Sequence, residues 1–338
     1  KEFVSSNEES AFSEISGQDS TVSDTNSQEQ LNAIKKAQNF YDRILDGYGD
    51  DSIGELGGAH IAIENISMLG ANILEDSRIG GSPLEKSTRY IYFDQKVKGE
   101  YLFYREPVLM TSAYRDLYIN TCNMLFDTYS QLIPKLTAVF EEKVVKEVHV
   151  SKAAYTAALR AKVLDCLRGL LPVGTLTNLG IFGNGRFYEG VLHKSHCSNL
   201  AEMQDIGKRM FDELAKVIPS FIRRAGVGHH THQSFAKFNE TMKAEIRQAV
   251  GDYVQEKPIS GKAGVRAISY DKDAPVKVAA ALMFEGTHQN MADLYSRCQQ
   301  LTEEELGRLL DAAANSRENR RQKSPRALEH ANFTFEIV

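Results

Sequence analysis

One pattern occurs near both ends of the chain. Laid over each other without a gap, SIGELGGAHIAIENI (residues 52–66) and SPRALEHANFTFEIV (residues 324–338) agree at Ser52/Ser324, Leu56/Leu328, Ala59/Ala331 and Glu64/Glu336. The apolar pairs Ile61/Phe333 and Ile63/Phe335 keep the alternation of a strand with one buried face. A helical pattern precedes each copy, at residues 31–46 and 303–314. A tandem repeat is the economical reading, and it restricts the chain to related units, the second beginning near GVRAISYDKDAPVKVAAALMF (264–284) and cut short. The alternative is a chance match between two unrelated amphipathic strands.

That reading divides the chain into a polar segment, a first repeat and the start of a second. Residues 5–28 are rich in Ser, Glu, Asp and Gly with few large apolar groups, so residues 1–30 are expected to be mobile. Residues 31–258 form the first repeat domain and residues 264–338 the start of the second. Leu31, Ile34, Tyr41, Ile44 and Leu45 recur at helical spacing and stop at the Gly-rich DGYGDD. GGAHIAIENISML alternates as a strand does. Long helical patterns follow at 107–145, at 151–171 closed by Pro172, and at 199–225 closed by Gly226. With 338 residues, 42% of them hydrophobic, the chain can bury a sizeable core. The expected class is α+β, a β-sheet with long helices.

The chemistry concentrates in GGSPLEKSTRYIYFD (residues 80–94). Gly-Gly and Ser-Pro break regular structure, whereas the aromatics that close the stretch suit a strand, so a loop is expected to run into a strand. In an extended segment Glu85, Ser87 and Arg89 share one face. A guanidinium and a hydroxyl on one face can seat a phosphate. The bland reading is a surface Arg–Glu ion pair, worth under about 1 kcal/mol.

Residues 77–90, SRIGGSPLEKSTRY, carry Ser82, Glu85, Ser87, Arg89 and Tyr90 of the pattern R-H-R-x-x-S-x-N-E-x-S-x-R-Y and depart from it at Ser77, Arg78, Ile79 and Leu84. Farther on, Arg168 precedes Leu171-Pro172, then come Thr177 and Asn184-Gly-Arg186. In both stretches the chain resembles the flavin-dependent thymidylate synthases, the thymidylate synthase complementing family, over about residues 31–225 and again near the end. The resemblance implies that family's α+β fold and reductive methylation of dUMP to dTMP, with methylenetetrahydrofolate giving the carbon and NADPH reducing bound FAD. It implies dUMP contacts from Glu85, Ser87, Arg89 and Arg168, and FAD contacts from Arg78, Asn184, Arg186 and His330. It also implies a homo-oligomer, a dimer of tandem pairs or a tetramer-like assembly with sites between subunits. No side-chain nucleophile is required.

The departures fall on the flavin side. Ser77, Ile79 and Gly58 stand where the family places flavin contacts, and Ser195, beside Lys194, stands where it places an arginine against the pyrimidine ring. In the second copy Glu329-His330 restores the Glu-His pair that the first copy replaces with Gly57-Gly58. The full-length protein is therefore expected to be a synthase whose divergent first copy contributes to composite sites, with this stretch alone inactive. The alternative is a non-catalytic nucleotide-binding or scaffold half.

Composition narrows the partners. A formal net charge of -5 gives no general attraction to nucleic acid or an anionic membrane. No apolar run of spanning length occurs. Cys122, Cys166, Cys197 and Cys298 lack the spacing of a zinc site or disulfide framework, which points to a reducing cytoplasm. The chain begins at Lys1 and ends on a strand-like stretch, so a fragment of a longer polypeptide is expected. GHHTHQ (228–233) reads as a solvated, Gly-flanked loop, and no metal is assigned. SRENRRQKSPR (316–326) reads as a solvated linker, and GIFGNGRF (180–187) lacks an arguable strand-and-helix context for a dinucleotide fold.

Overall fold

Alternating Ala59, Ile61 and Ile63 build the first strand of the computed structural model, which describes residues 51–77, 79–253, 263–319 and 321–337 together with 35, 36, 38–41, 43 and 44. The expected mobile segment 1–30 and Arg78 lie outside the described residues. The chain divides into two compact units, Lys1–Val250 and Gly251–Val338.

In the first unit the strands are β1 (Gly58–Ser67), β2 (Gly81–Glu85), the two-residue β3 (Lys96–Val97) and β4 (Glu100–Tyr101), and β5 (Leu176–Asn184). The helices are α1 (Met68–Glu75), α2 (Arg115–Lys143), α3 (Lys152–Leu167), α4 (Gly185–His196), α5 (Ala201–Leu214) and α6 (His230–Tyr253), with shorter turns between them. β5 is central, antiparallel to β1 on one side and β2 on the other. The β1–β5 register shifts between Glu64 and Ile66, and there Asn65 takes a φ of 59° while its N–H donates to Asn178 Oδ1 at 3.1 Å. Asn accepts this left-handed conformation at little cost.

The strand in residues 80–94 lies on the half that composition disfavours. β2 is GSPLE, and the aromatic half forms a turn in which Tyr90 and Ile91 donate to the Ser87 carbonyl, each at 3.2 Å. Two facts reverse the expectation. β2 is an edge strand, where the N–H missing from Pro83 costs little. Gly81 pairs with Gly183 of β5, and a β-carbon on either would stand 2.4 Å from the Phe187 ring. The glycines are thus the floor on which Phe187 sits. Glu85 ends the strand and Ser87 and Arg89 belong to the turn, so the three do not share a strand face.

Other expectations are corrected locally. The 107–145 pattern is interrupted: Pro107–Met110 is a single turn capped by Glu106, and α2 starts at Arg115. The 199–225 pattern ends at Leu214, and Pro219 opens a separate short turn. GIFGNGRF does join a strand to a helix, β5 to α4, with the Asn184 side chain accepting from Phe187 N–H at 2.8 Å as the N-cap. Its neighbours are antiparallel, which excludes the parallel βαβ of a dinucleotide fold.

Thr177, Leu179 and Ile181 turn the inner face of β5 onto α4 and α5, where Tyr188, Leu192, Met203 and Leu214 complete the core. The Tyr188 hydroxyl lies 3.1 and 3.0 Å from the Ala59 and Ile181 carbonyls, and burial pushes its pKa up to about 12. A second cluster joins the β3–β4 hairpin to α2 and α3 through Tyr101, Phe126, Tyr129 and Leu164.

The second unit pairs β6 (Val265–Tyr270) with β7 (Phe333–Ile337), antiparallel, and between them in sequence come α7 (Ala274–Glu285), α8 (Met291–Cys298) and α9 (Glu303–Ala312). Ala279, Ala280, Leu294 and Cys298 form its core. A 3-10 turn, Arg326–His330, leads into β7, as another, Asp51–Glu55, leads into β1.

Candidate functional site

β2 and β5 carry the two motif stretches, and their pairing brings the stretches together. Glu85, opposite Leu179, is half-buried; burial and the nearby Glu75 charge raise its pKa above the usual carboxylate range. Ser87 follows in the turn and accepts from the Arg89 N–H at 3.3 Å. The Arg89 side chain is exposed, its guanidinium 5.9 Å from the Tyr90 ring centre. Arg168 opens the turn that ends α3 and pairs with Asp165 at 3.2 Å. Among the described residues no hydrogen bond or ion pair joins Arg168 to Glu85, Ser87 or Arg89.

The flavin positions gather in a cleft of about 440 Å³ at the start of α4, where Ser77, Ile79, Asn184, Arg186 and Lys194 line the walls. Gly80, at φ +83°, accepts the Asn184 N–H through its carbonyl and turns the chain at the cleft edge. Arg186 is 2.7 Å from Glu55, and Asp76 also lines the cleft. Ile79 is 96% exposed where the family pattern has an arginine. Two carboxylates and a neutral isobutyl group are a poor match to a flavin diphosphate, which needs cationic donors. His330 ends the 3-10 turn of the second unit and is exposed.

A histidine cluster was not legible in the sequence. His193 on α4 and His232 on α6 are buried, with parallel rings and their Nδ1 atoms 2.8 Å apart, so one of the two carries the shared proton. His196 stands edge-on to His232. Burial first, then the charges of His232 and Arg224, pull the His193 pKa down to about 4. The expected solvated GHHTHQ loop is therefore corrected: it opens α6 and buries His232, because Gly226 and Gly228 let the chain turn back onto α4. The His193/His196 spacing on one helix was the available signal. Among the described residues no group of three or more His, Cys, Asp or Glu could hold a metal ion, and no helix is long and apolar enough to cross a membrane.

Also unforeseen is the buried carboxylate of Glu202 on α5. It accepts from Ser67 N–H at 2.7 Å and Ser67 hydroxyl at 2.5 Å, and that hydroxyl in turn accepts from Gly70 N–H at 2.9 Å as the cap of α1. One side chain thus ties β1, α1 and α5 together beneath the site.

The sequence is 53% identical over 305 residues to a UPF0159 protein of Chlamydia muridarum, covering 90% of this chain and 58% of that protein, so the chain spans little more than half the length of this relative. Among solved structures it is similar to the UMP/dUMP methylase PolB from Streptomyces cacaoi bound with 5-Br UMP (14% identity, 65% of this chain, 92% of that one, TM-score 0.37). It is likewise similar to Thymidylate Synthase X from Helicobacter pylori with FAD and dUMP (18% identity, 56% and 82%, TM-score 0.32). These likenesses are too slight to carry an argument. The sequence model described as thymidylate synthase complementing protein matches residues 7–220, well over half of the chain and including every segment that builds the cleft. The chain belongs to the thymidylate synthase complementing protein family.

Proposed function

We propose that the full-length protein is a flavin-dependent thymidylate synthase that methylates dUMP reductively to dTMP, taking the carbon from methylenetetrahydrofolate and reducing equivalents from NADPH through FAD. The supporting observation is the β2–β5 pairing, which joins the stretch carrying Glu85, Ser87 and Arg89 to the stretch carrying Asn184 and Arg186 in a chain of that family. Glu85, Ser87, Arg89 and Arg168 are the proposed dUMP contacts. Glu85, held partly neutral by burial, can donate to or accept from a pyrimidine, and the arginines bind its phosphate by charge-assisted bonds.

The flavin side is proposed to be shared. Because the donor set at Ser77, Ile79, Glu55 and Asp76 does not fit a flavin diphosphate, no step is assigned to FAD in this copy. Asn184 and Arg186 are left as its proposed contacts here, and Glu329-His330 of a second, tandem copy is proposed to restore what Gly57-Gly58 lacks. A homo-oligomer of tandem pairs in the cytoplasm belongs to the same proposal.

The test is tritium release from labelled dUMP by the full-length protein with FAD, NADPH and methylenetetrahydrofolate. Release that requires NADPH is expected, whereas residues 1–338 alone should give none. Absence of release from the full-length protein would refute the synthase reading.

A further inference from the structure

A second cleft, of about 250 Å³, lies beside the first and shares Ser77, Val191 and Lys194 with it. Its floor is apolar, made of Leu74, Val191 and Met203, all buried. Its rim is polar: Lys194 near the end of α4, Asn199 in the loop after it, and Asn239 and Lys243 on α6. No carboxylate lines it, whereas Glu55 and Asp76 line its neighbour. Neither ammonium has an ion pair among the described residues, although Lys96, Lys216 and Lys277 elsewhere each have one. Lys243 approaches closely enough for its charge to oppose the upward pull of burial on the Cys197 thiol.

Two like charges around one concavity in a chain of net charge -5 are not explained by general surface balance. Their mutual repulsion is relieved by a bound anion, and two ammoniums flanked by neutral amide donors match a phosphate in charge and hydrogen-bond sense. An apolar floor beneath a cationic rim suits a ligand with a flat organic part joined to that phosphate. We propose that this cleft binds a phosphorylated ligand, with Lys194 and Lys243 holding the phosphate and Leu74, Val191 and Met203 receiving the remainder. The site rests on the cleft and not on the synthase reading, so either can fail without the other.

The experiment is calorimetric titration of the full-length protein with inorganic pyrophosphate, followed by displacement with dUMP and, separately, with NADPH. Saturable pyrophosphate binding is expected, weakened about tenfold or more by Lys194→Gln or Lys243→Gln, lost in the double variant, and unchanged by Lys237→Gln, an exposed α6 lysine outside the cleft. Displacement by dUMP alone identifies a nucleoside monophosphate as the ligand, and displacement by NADPH alone a dinucleotide; either supports the site. Circular dichroism confirms that each variant is folded. Equal pyrophosphate affinity in the parent and double variant, no binding to the parent, or displacement by neither nucleotide would overturn the proposal.

Discussion

Replacing Glu202 with Ala should cost the fold about 3 kcal/mol, and the structure says where the cost arises. Ser67 is 2% exposed and Glu202 7%, so neither group can turn to water. Truncation orphans the Ser67 N–H, at about 1–3 kcal/mol, and removes a hydroxyl bond to a charged acceptor worth about 1.5–3 kcal/mol. Relief from burying a carboxylate offsets part of that sum. Glu202→Gln keeps an acceptor for the N–H and should cost about 1 kcal/mol. Ser67→Ala loses the hydroxyl and the α1 cap together, about 1–2 kcal/mol. The two losses share one bond, so the double variant should be less destabilised than the sum, with a coupling of about 1 kcal/mol or more. Urea denaturation followed by far-UV circular dichroism reads this, since the chain has no tryptophan to report by fluorescence. Hydrogen exchange at the Ser67 and Gly70 amides localises it. A Glu202→Ala variant within about 0.5 kcal/mol of the parent, or a coupling near zero, would show that the carboxylate does not join these elements.

Three further outcomes are expected. His193 is held neutral when folded: its pKa of about 4 lies below the unfolded value of 6.5, so its contribution to stability is present above pH 6.5 and is lost as pH falls toward 4; His193→Gln should flatten the fall of the urea midpoint over that range, and an unchanged acid slope would contradict this. Gly183→Ala drives a β-carbon into the Phe187 ring and should destabilise by about 1–3 kcal/mol, recovered in part by adding Phe187→Leu; an unshifted melting temperature would refute the close approach. Arg89→Ala should weaken dUMP binding by about 1.5–3 kcal/mol in calorimetry, since its exposed guanidinium is available to an anion, and equal affinity would remove it from the site.

Legibility followed range. β1 was readable because its alternation is local, and α3 because Pro172 stops it where the helical pattern ends. β2 was placed on the wrong half because Gly81, Ser82 and Pro83 form a strand only through pairing with a partner far along the sequence. β5 hid behind Gly180 and Gly183, which read as punctuation until Phe187 is seen lying over one of them. The motif residues were identifiable by spacing, yet what each touches was not: Arg186 to Glu55, Ser67 to Glu202 and His193 to His232 all join residues distant in sequence. Local pattern sets which segments can form elements, while these distant pairs decide how the elements meet.

The ribbon of the second unit bears on how the chain assembles. β3 and β4 are joined by Lys98-Gly99, both at positive φ, a two-residue turn that can zip at once. β6 and β7 are instead separated by roughly sixty residues, whose closure costs about 3–4 kcal/mol of chain entropy before any ladder bond repays it. The helices α7 to α9 lie within that interval and make local contacts, so they set before the strands meet. Until then Phe333, Phe335 and Ile337 wait on an unpaired strand, and the tempo of refolding in this unit is set by how soon the helical layer brings β7 back to β6.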